Sequence, residues 1–241
     1  MSSFADSFEI PEPIDHTLTG KAIWSWIIIP MTAVLLVALI VFGFSYNRQR
    51  NAISVVEELG GFITTATSPL TLLHDPAIDY MARGSNQVIR VQLVRPKMTA
   101  HEVEEFLAAV TSFPQLRTLR VGKTPLSDED LALLKQLPFL DSLDLDRTRI
   151  SDVGLREVAQ MRRLEWLVLD GTLVTDAGLA QLRSLESLKT LSLENTAVTD
   201  AGIEYLMELP ALERVHLAQT EVTNMGLDRL RMACPRLEII R

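Results

Sequence analysis

The sequence predicts an α/β solenoid, with parallel strands on a concave face and helices on a convex one, placed after a single N-terminal membrane-spanning helix. Two observations predict it: a period of 24 residues beginning at Leu116, and a run from Ala22 to Asn47 without one charged side chain. A chain of 241 residues with 47% apolar content accommodates one or two domains and is not wholly disordered. Its 23 Lys and Arg against 31 Asp and Glu give a net charge of -8, which sets up no field toward nucleic-acid phosphates. One cysteine, Cys234, and scattered histidines at 16, 74, 101 and 216 exclude a disulfide scaffold and a zinc finger, and no cofactor is expected.

Residues 1–20 form an acidic tail containing Asp6, Glu9, Glu12 and Asp15, and residues 21–47 hold the membrane segment. From Ile23 to Phe44 the chain reads IWSWIIIPMTAVLLVALIVFGF, and about 20 apolar residues span a hydrocarbon core as a helix. Trp24, Trp26 and Tyr46 stand where amphipathic rings settle at headgroups, flanked by Lys21, Arg48 and Arg50, so residues 22–46 are expected to contact lipid. The acidic start and the poor cleavage site at Ser45-Tyr46-Asn47 favour an uncut anchor over a signal peptide. Lys21 and the terminal amine nearly balance Arg48 and Arg50, which leaves the side of the repeats open: cytoplasmic or extracytoplasmic.

Residues 48–87 lack the period but contain a helical candidate near Ala52–Leu59, then Gly60-Gly61 and Phe62-Ile63. They read as a cap over the first coil, with a separate ligand domain as the rival. The solenoid occupies 88–241, where a divergent frame runs from Val88 through Val91, Leu93 and Met98 to Phe106 and Leu107. Regular frames start at Leu116, Leu140, Leu164, Leu188 and Leu212, and Leu237-Glu238-Ile239-Ile240 supplies a closing strand.

In each frame, positions 4 and 6 alternate as on a strand: Leu119 and Val121, Leu143 and Leu145, Leu167 and Leu169, Leu191 and Leu193, Val215 and Leu217. Positions 16 and 19, such as Leu155 with Val158, have helical spacing, so each unit is one strand and one helix. Ser127-Asp128, Ser151-Asp152, Thr175-Asp176, Thr199-Asp200 and Thr223-Asn224 precede the helices, where their oxygens can cap free NH groups. Gly154, Gly178, Gly202 and Gly226 follow as close-packing positions. Position 9 is always threonine, at Thr124, Thr148, Thr172, Thr196 and Thr220, a ladder whose hydroxyls can satisfy buried loop groups.

These frames, written in full as LxxLxLxxTxVTDxGLxxLxxL by Leu164–Leu185 and Leu188–Leu209, resemble leucine-rich repeats. The Thr ladder and the Ala233-Cys234-Pro235 ending are similar to the cysteine-containing subtype, which places Cys234 at the core. Anchor, LGG segment and VTDxGL repeats together resemble bacterial membrane-anchored leucine-rich-repeat proteins. That resemblance specifies fold far more than activity.

With positions 4 and 6 inward, positions 3, 5 and 7 point outward on the concave strand face. That face starts basic, with Arg90, Arg95, Lys97, Arg117, Arg120 and Lys123, and then turns acidic at Asp141, Asp144, Asp146, Asp170 and Glu194. A bipolar face suits a protein partner of complementary charge, and a merely solvated surface is the plain alternative. Trp166 and Val168 interrupt it with apolar side chains. Trp166 reads either as a contact anchor or as a ring covering core from a neighbouring coil.

His101-Glu102-Val103-Glu104-Glu105 lacks the second histidine of a zinc helix, and Asp144-Leu145-Asp146 lacks the wrapping loop of a calcium site, so no metal is assigned. No nucleophile elbow or phosphate loop is present, and the chain is expected not to be an enzyme. The expected function is a single-pass, membrane-anchored protein-binding module that uses Trp166, Val168, Asp144, Asp146, Asp170, Arg117 and Arg120. The alternative is a membrane scaffold without a discrete ligand.

Overall fold

The computed structural model describes residues 43–45, 47–65, 88–93 and 98–241. The chain divides into two compact units, Met1–Asn47 and Arg48–Arg241. Of the first, only the helical residues 43–45 and 47 are described, so nearly all of the expected membrane segment lies outside the described residues. Among the described residues no helix is long and apolar enough to cross a membrane.

The second unit is built on one eight-stranded sheet whose strands follow chain order. Strands β1 (Gly61–Thr65) and β2 (Val88–Leu93) pair antiparallel. From β2 onward the pairing is parallel, through β3 (Thr118–Arg120), β4 (Ser142–Asp144), β5 (Trp166–Val168), β6 (Thr190–Ser192), β7 (Arg214–His216) and β8 (Glu238–Ile240). Register advances by one repeat per strand, so Val91, Leu119, Leu143, Leu167, Leu191, Val215 and Ile239 stand in one column. From Val91 to Val215 that column is completely buried. Each coil thus contributes a slice to a continuous apolar spine, and no coil can bury its own face alone.

Helix α1 (48–58) and β1 close the N-terminal side of this spine through the buried Ala52, Val56 and Leu59. Gly60 turns the chain at φ 84°, and a Cβ on Gly61 would lie 2.6 Å from Val56 Cγ1 and 3.1 Å from the Phe106 ring. The Gly60-Gly61 pair is therefore fixed by a left-handed turn followed by close contact. Helix α2 (Ala100–Val110) begins at Thr99 with a reciprocal capping box: the Glu102 NH donates to Thr99 Oγ1, and the Thr99 NH donates to Glu102 Oε2 at 2.7 Å.

The remaining helices are short: α3 (Leu131–Leu134), α4 (Asp152–Val158), α5 (Asp176–Leu179), α6 (Asp200–Leu206) and α7 (Asn224–Ala233). Between strand and helix the backbone turns at position 8, where Lys123, Arg147, Gly171, Asn195 and Gln219 all have φ between 51° and 62°. One residue later each position 9 threonine donates its hydroxyl to the carbonyl three residues back, from Thr124 to Val121 at 2.8 Å through Thr220 to Leu217 at 2.8 Å. These bonds close the turn inside each coil, where the first four threonines are buried.

Coils are joined by a second device that the sequence does not announce. Asp128 accepts both the NH (2.8 Å) and the hydroxyl (2.5 Å) of Ser151 in the next coil. Asp152, Asp176 and Asp200 repeat the pattern on Thr175, Thr199 and Thr223. The same serine and threonine oxygens cap their own helices, accepting from Val153, Ala177, Ala201 and Gly226 NH groups. The position 15 glycines make room for this: a Cβ on Gly154, Gly178, Gly202 or Gly226 would overlap the carboxylate of Asp128, Asp152, Asp176 or Asp200 respectively. The neighbour that requires glycine is a carboxylate of the preceding coil, in addition to the leucine side chains beneath three of them. In the first regular frame position 15 is Asp130, which bonds back to Ser127; in the last, position 13 is Asn224, which accepts from Arg241 at 2.7 Å.

Candidate functional site on the concave sheet face

Strand alternation presents three columns outward, and their register fixes which side chains are neighbours. Position 3 carries Thr118, Ser142, Trp166, Thr190 and Arg214, and position 5 carries Arg120, Asp144, Val168, Ser192 and His216. Position 7, just beyond the strands, carries Gly122, Asp146, Asp170, Glu194 and Ala218.

The Arg120 guanidinium lies over the Trp166 ring, 5.4 Å from its centroid, although their strands are separated by β4. Ser142, the register neighbour of Trp166 on β4, is small and leaves room for the two side chains to meet across that strand. Trp166 is half-buried and retains open surface. Among the described residues, Arg120 Nε is the one buried side-chain nitrogen or oxygen without a hydrogen-bond partner.

Val168 differs from the exposed contact expected of it. It is only 7% exposed, being a short side chain seated between Asp144 and Ser192, and it forms the floor of the face rather than a protruding anchor.

The acidic residues fall into two states. Arg117 pairs with Asp141 at 3.5 Å, and Asp146 is reached by Lys123 at 3.8 Å and Arg147 at 3.5 Å. Among the described residues, Asp144 and Asp170 have no ion pair at hydrogen-bond range. Asp144 Oδ1 accepts from the Asp146 NH at 3.1 Å, while Asp170 Oδ1 accepts from Ser192 Oγ at 2.6 Å and the Glu194 NH at 2.8 Å. In both, one oxygen is tied down and the other takes no donor from the described residues. Burial holds both carboxyl groups above the ordinary carboxylate value, against the hydrogen bonds that favour ionisation; Asp146 repels the first, which Arg120 and Lys123 attract, and Glu194 and Asp146 repel the second. Further along, His216 Nδ1 lies 3.3 Å from Glu194 Oε1.

Arg90 is exposed on β2 at the basic end, and Arg95 and Lys97 lie outside the described residues. The Arg120–Trp166 stack escaped the sequence because it joins different columns in non-adjacent repeats; the small serine between them is the signal that marks it. Cys234 is half-buried against the core as a free thiol. Among the described residues, no group of three His, Cys, Asp or Glu is placed to hold a metal ion. At the opposite edge of the coils a cleft of about 340 Å³ is lined by Lys135, Leu140, Met161, Arg162 and Arg163. Lys135 pairs there with Glu157, and Arg163 stacks on Phe139.

Fold and face together define a leucine-rich-repeat-like α/β solenoid with a polar, partly aromatic concave sheet. The family model described as Leucine Rich repeat matches residues 184–207. Solved bacterial proteins with similar structures include an internalin (inlF) from Listeria monocytogenes, at 19% identity and TM-score 0.48, covering 62% of this chain and 44% of that one. An internalin C2 (inlC2) from the same organism is 27% identical, with TM-score 0.42 and 51% of each chain covered. A leucine-rich-repeat protein of Leptospira interrogans is 18% identical, with TM-score 0.44, covering 66% of this chain and 50% of that one. The chain thus spans about half the length of these structures. No curated protein matches it.

Proposed function

We propose that this chain is a membrane-anchored protein-interaction module that binds its partner on the concave face around Trp166, and that it is a binding protein rather than an enzyme. One observation carries the reading: two half-buried carboxylates, Asp144 and Asp170, each fixed by one oxygen, flank a Val168 floor beside the Arg120–Trp166 stack. Fixed donors and acceptors around an aromatic side chain lower the entropy lost on docking. The apolar segment at 22–46 supports tethering to lipid, with the repeats on either side of the membrane.

The test is recovery of a cross-linked protein partner with the wild-type chain and with Trp166→Ala. Loss of the partner with an unchanged melting temperature supports the reading, and undiminished capture removes it. Release of the chain from membranes by alkaline carbonate would refute the anchor. Protease digestion of a tag after Arg241 in intact cells reports the side.

A further inference from the structure

We infer that the concave sheet face takes an extended, lysine- or arginine-bearing segment of a partner protein, whose basic side chains reach Asp144, Asp170 and Glu194. This rests on the reading of that face as the binding surface and adds the chemistry of its occupant.

The face has both charges, but they are not equally available. On the basic side, Arg117 and Lys123 are already paired with Asp141 and Asp146 of the next coil, and Arg120 is stacked on Trp166. On the acidic side, Asp144 and Asp170 lack a cation at ion-pair distance among the described residues, although Arg120 and Lys123 act on Asp144 from further off, and Glu194 has only a histidine. Arg90 and Arg120 keep their charge at the β2–β3 end, so the uncompensated negative charge lies further along, around Asp170 and Glu194, and the complementary occupant there is cationic.

Shape agrees with charge. The apolar pair Trp166 and Val168 on β5 precedes Asp170 just beyond it, so one coil presents an apolar surface followed by a carboxylate. A lysine or arginine has the matching order, an apolar stem and a charged tip. Its stem can lie over Val168 and against the Trp166 ring while its tip reaches the free oxygen of Asp144 or Asp170. Strands in a sheet are about 4.8 Å apart, so Asp144, Asp170 and Glu194, on three successive coils, form a row that steps at about that interval; same-side residues of an extended peptide recur at about 6.8 Å. Two basic residues separated by one therefore fall within the row.

The test uses the full chain carrying Trp24→Phe and Trp26→Phe, so that emission reports Trp166 alone. It is titrated with an alternating Lys-Ser decapeptide and with its Glu-Ser counterpart. The expected result is a saturable emission change with the Lys-Ser peptide only. Affinity should fall about tenfold or more in Asp144→Asn/Asp170→Asn and stay unchanged in Glu104→Gln/Glu105→Gln, which removes the same charge from exposed helix positions. Equal weakening by both pairs would overturn the inference, because only net charge would then act. Binding of the Glu-Ser peptide in its place would overturn the cationic occupant and leave the interaction reading standing. A concentration-dependent dimer in sedimentation, abolished by Asp144→Asn/Asp170→Asn, would replace the peptide with a second copy. No response to either peptide, together with undiminished partner capture by Trp166→Ala, would remove the inference and the underlying reading together.

Discussion

Asp152 of one coil accepts both the backbone NH of Thr175, at 2.8 Å, and its hydroxyl, at 2.6 Å, across a gap of 23 residues in sequence. Gly178 lies against the same carboxylate. The three residues form one rung that ties helix starts of adjacent coils, and it recurs at Asp128, Asp176 and Asp200.

Breaking the rung is expected to loosen the array. Asp152→Ala leaves Thr175 without its acceptor and should destabilise by about 2 kcal/mol, and Gly178→Ala by about 1–3 kcal/mol through overlap. The double variant should lose less than the sum, by about 0.5 kcal/mol or more, because the carboxylate that obstructs the new methyl is gone. Urea unfolding of the four chains measures this, and strict additivity would show that glycine answers only to the leucine beneath it.

Asp200 gives the rung a pH dependence. Hydrogen bonds from the Thr223 hydroxyl and NH hold its carboxyl below the ordinary value of 3.8, with Arg229 adding to them. A depressed acid stabilises the fold above its unfolded value and loses that contribution as pH falls through the folded one. Melting temperatures of wild type and Asp200→Asn from pH 6 to pH 2 should therefore converge at the acid end.

The concave carboxylates behave oppositely. Burial raises Asp144, so the fold is penalised while that group is ionised and relieved as pH falls toward its unfolded value. Asp144→Asn keeps an oxygen for the Asp146 NH and removes the charge. It is expected to raise the melting temperature at pH 7 and to lose that advantage near pH 3, at the expense of binding. A variant less stable than wild type at pH 7 would refute the argument.

At position 8, Gly171 has φ 61° and lies where a Cβ would approach Arg147 Cγ at 3.0 Å. Gly171→Ala should destabilise by about 1 kcal/mol, the typical magnitude for a side chain forced into the left-handed region. Arg147, at φ 51°, already bears that strain, and Arg147→Gly should be neutral or mildly stabilising. Denaturant midpoints distinguish the two.

Much of this fold was legible because its period is explicit. Leu119, Leu143, Leu167 and Leu191 announce both a strand and the register between strands, and a parallel sheet of adjacent repeats follows. The cap strand was harder, since Phe62 and Ile63 show no repeat and their pairing with Gln92 and Val91 is antiparallel. Turn geometry at position 8 was hidden by its composition: lysine, arginine and glutamine do not advertise a left-handed backbone, as glycine and asparagine do. On the concave face, the columns were readable from alternation alone. The burial of Val168 was not, because it depends on the heights of neighbouring side chains rather than on the direction of the strand.

The rungs also bear on how such an array changes length. Excising residues 152–175 would bring Ser151 directly before Asp176, with Asp128 still facing Ser151 and now meeting Gly178 in the place of Gly154. The splice recreates the native arrangement, and inserting a copy does so equally. Interior units are thus interchangeable parts, and a lineage carrying this scaffold can lengthen or shorten its recognition surface in whole steps without redesigning a single joint.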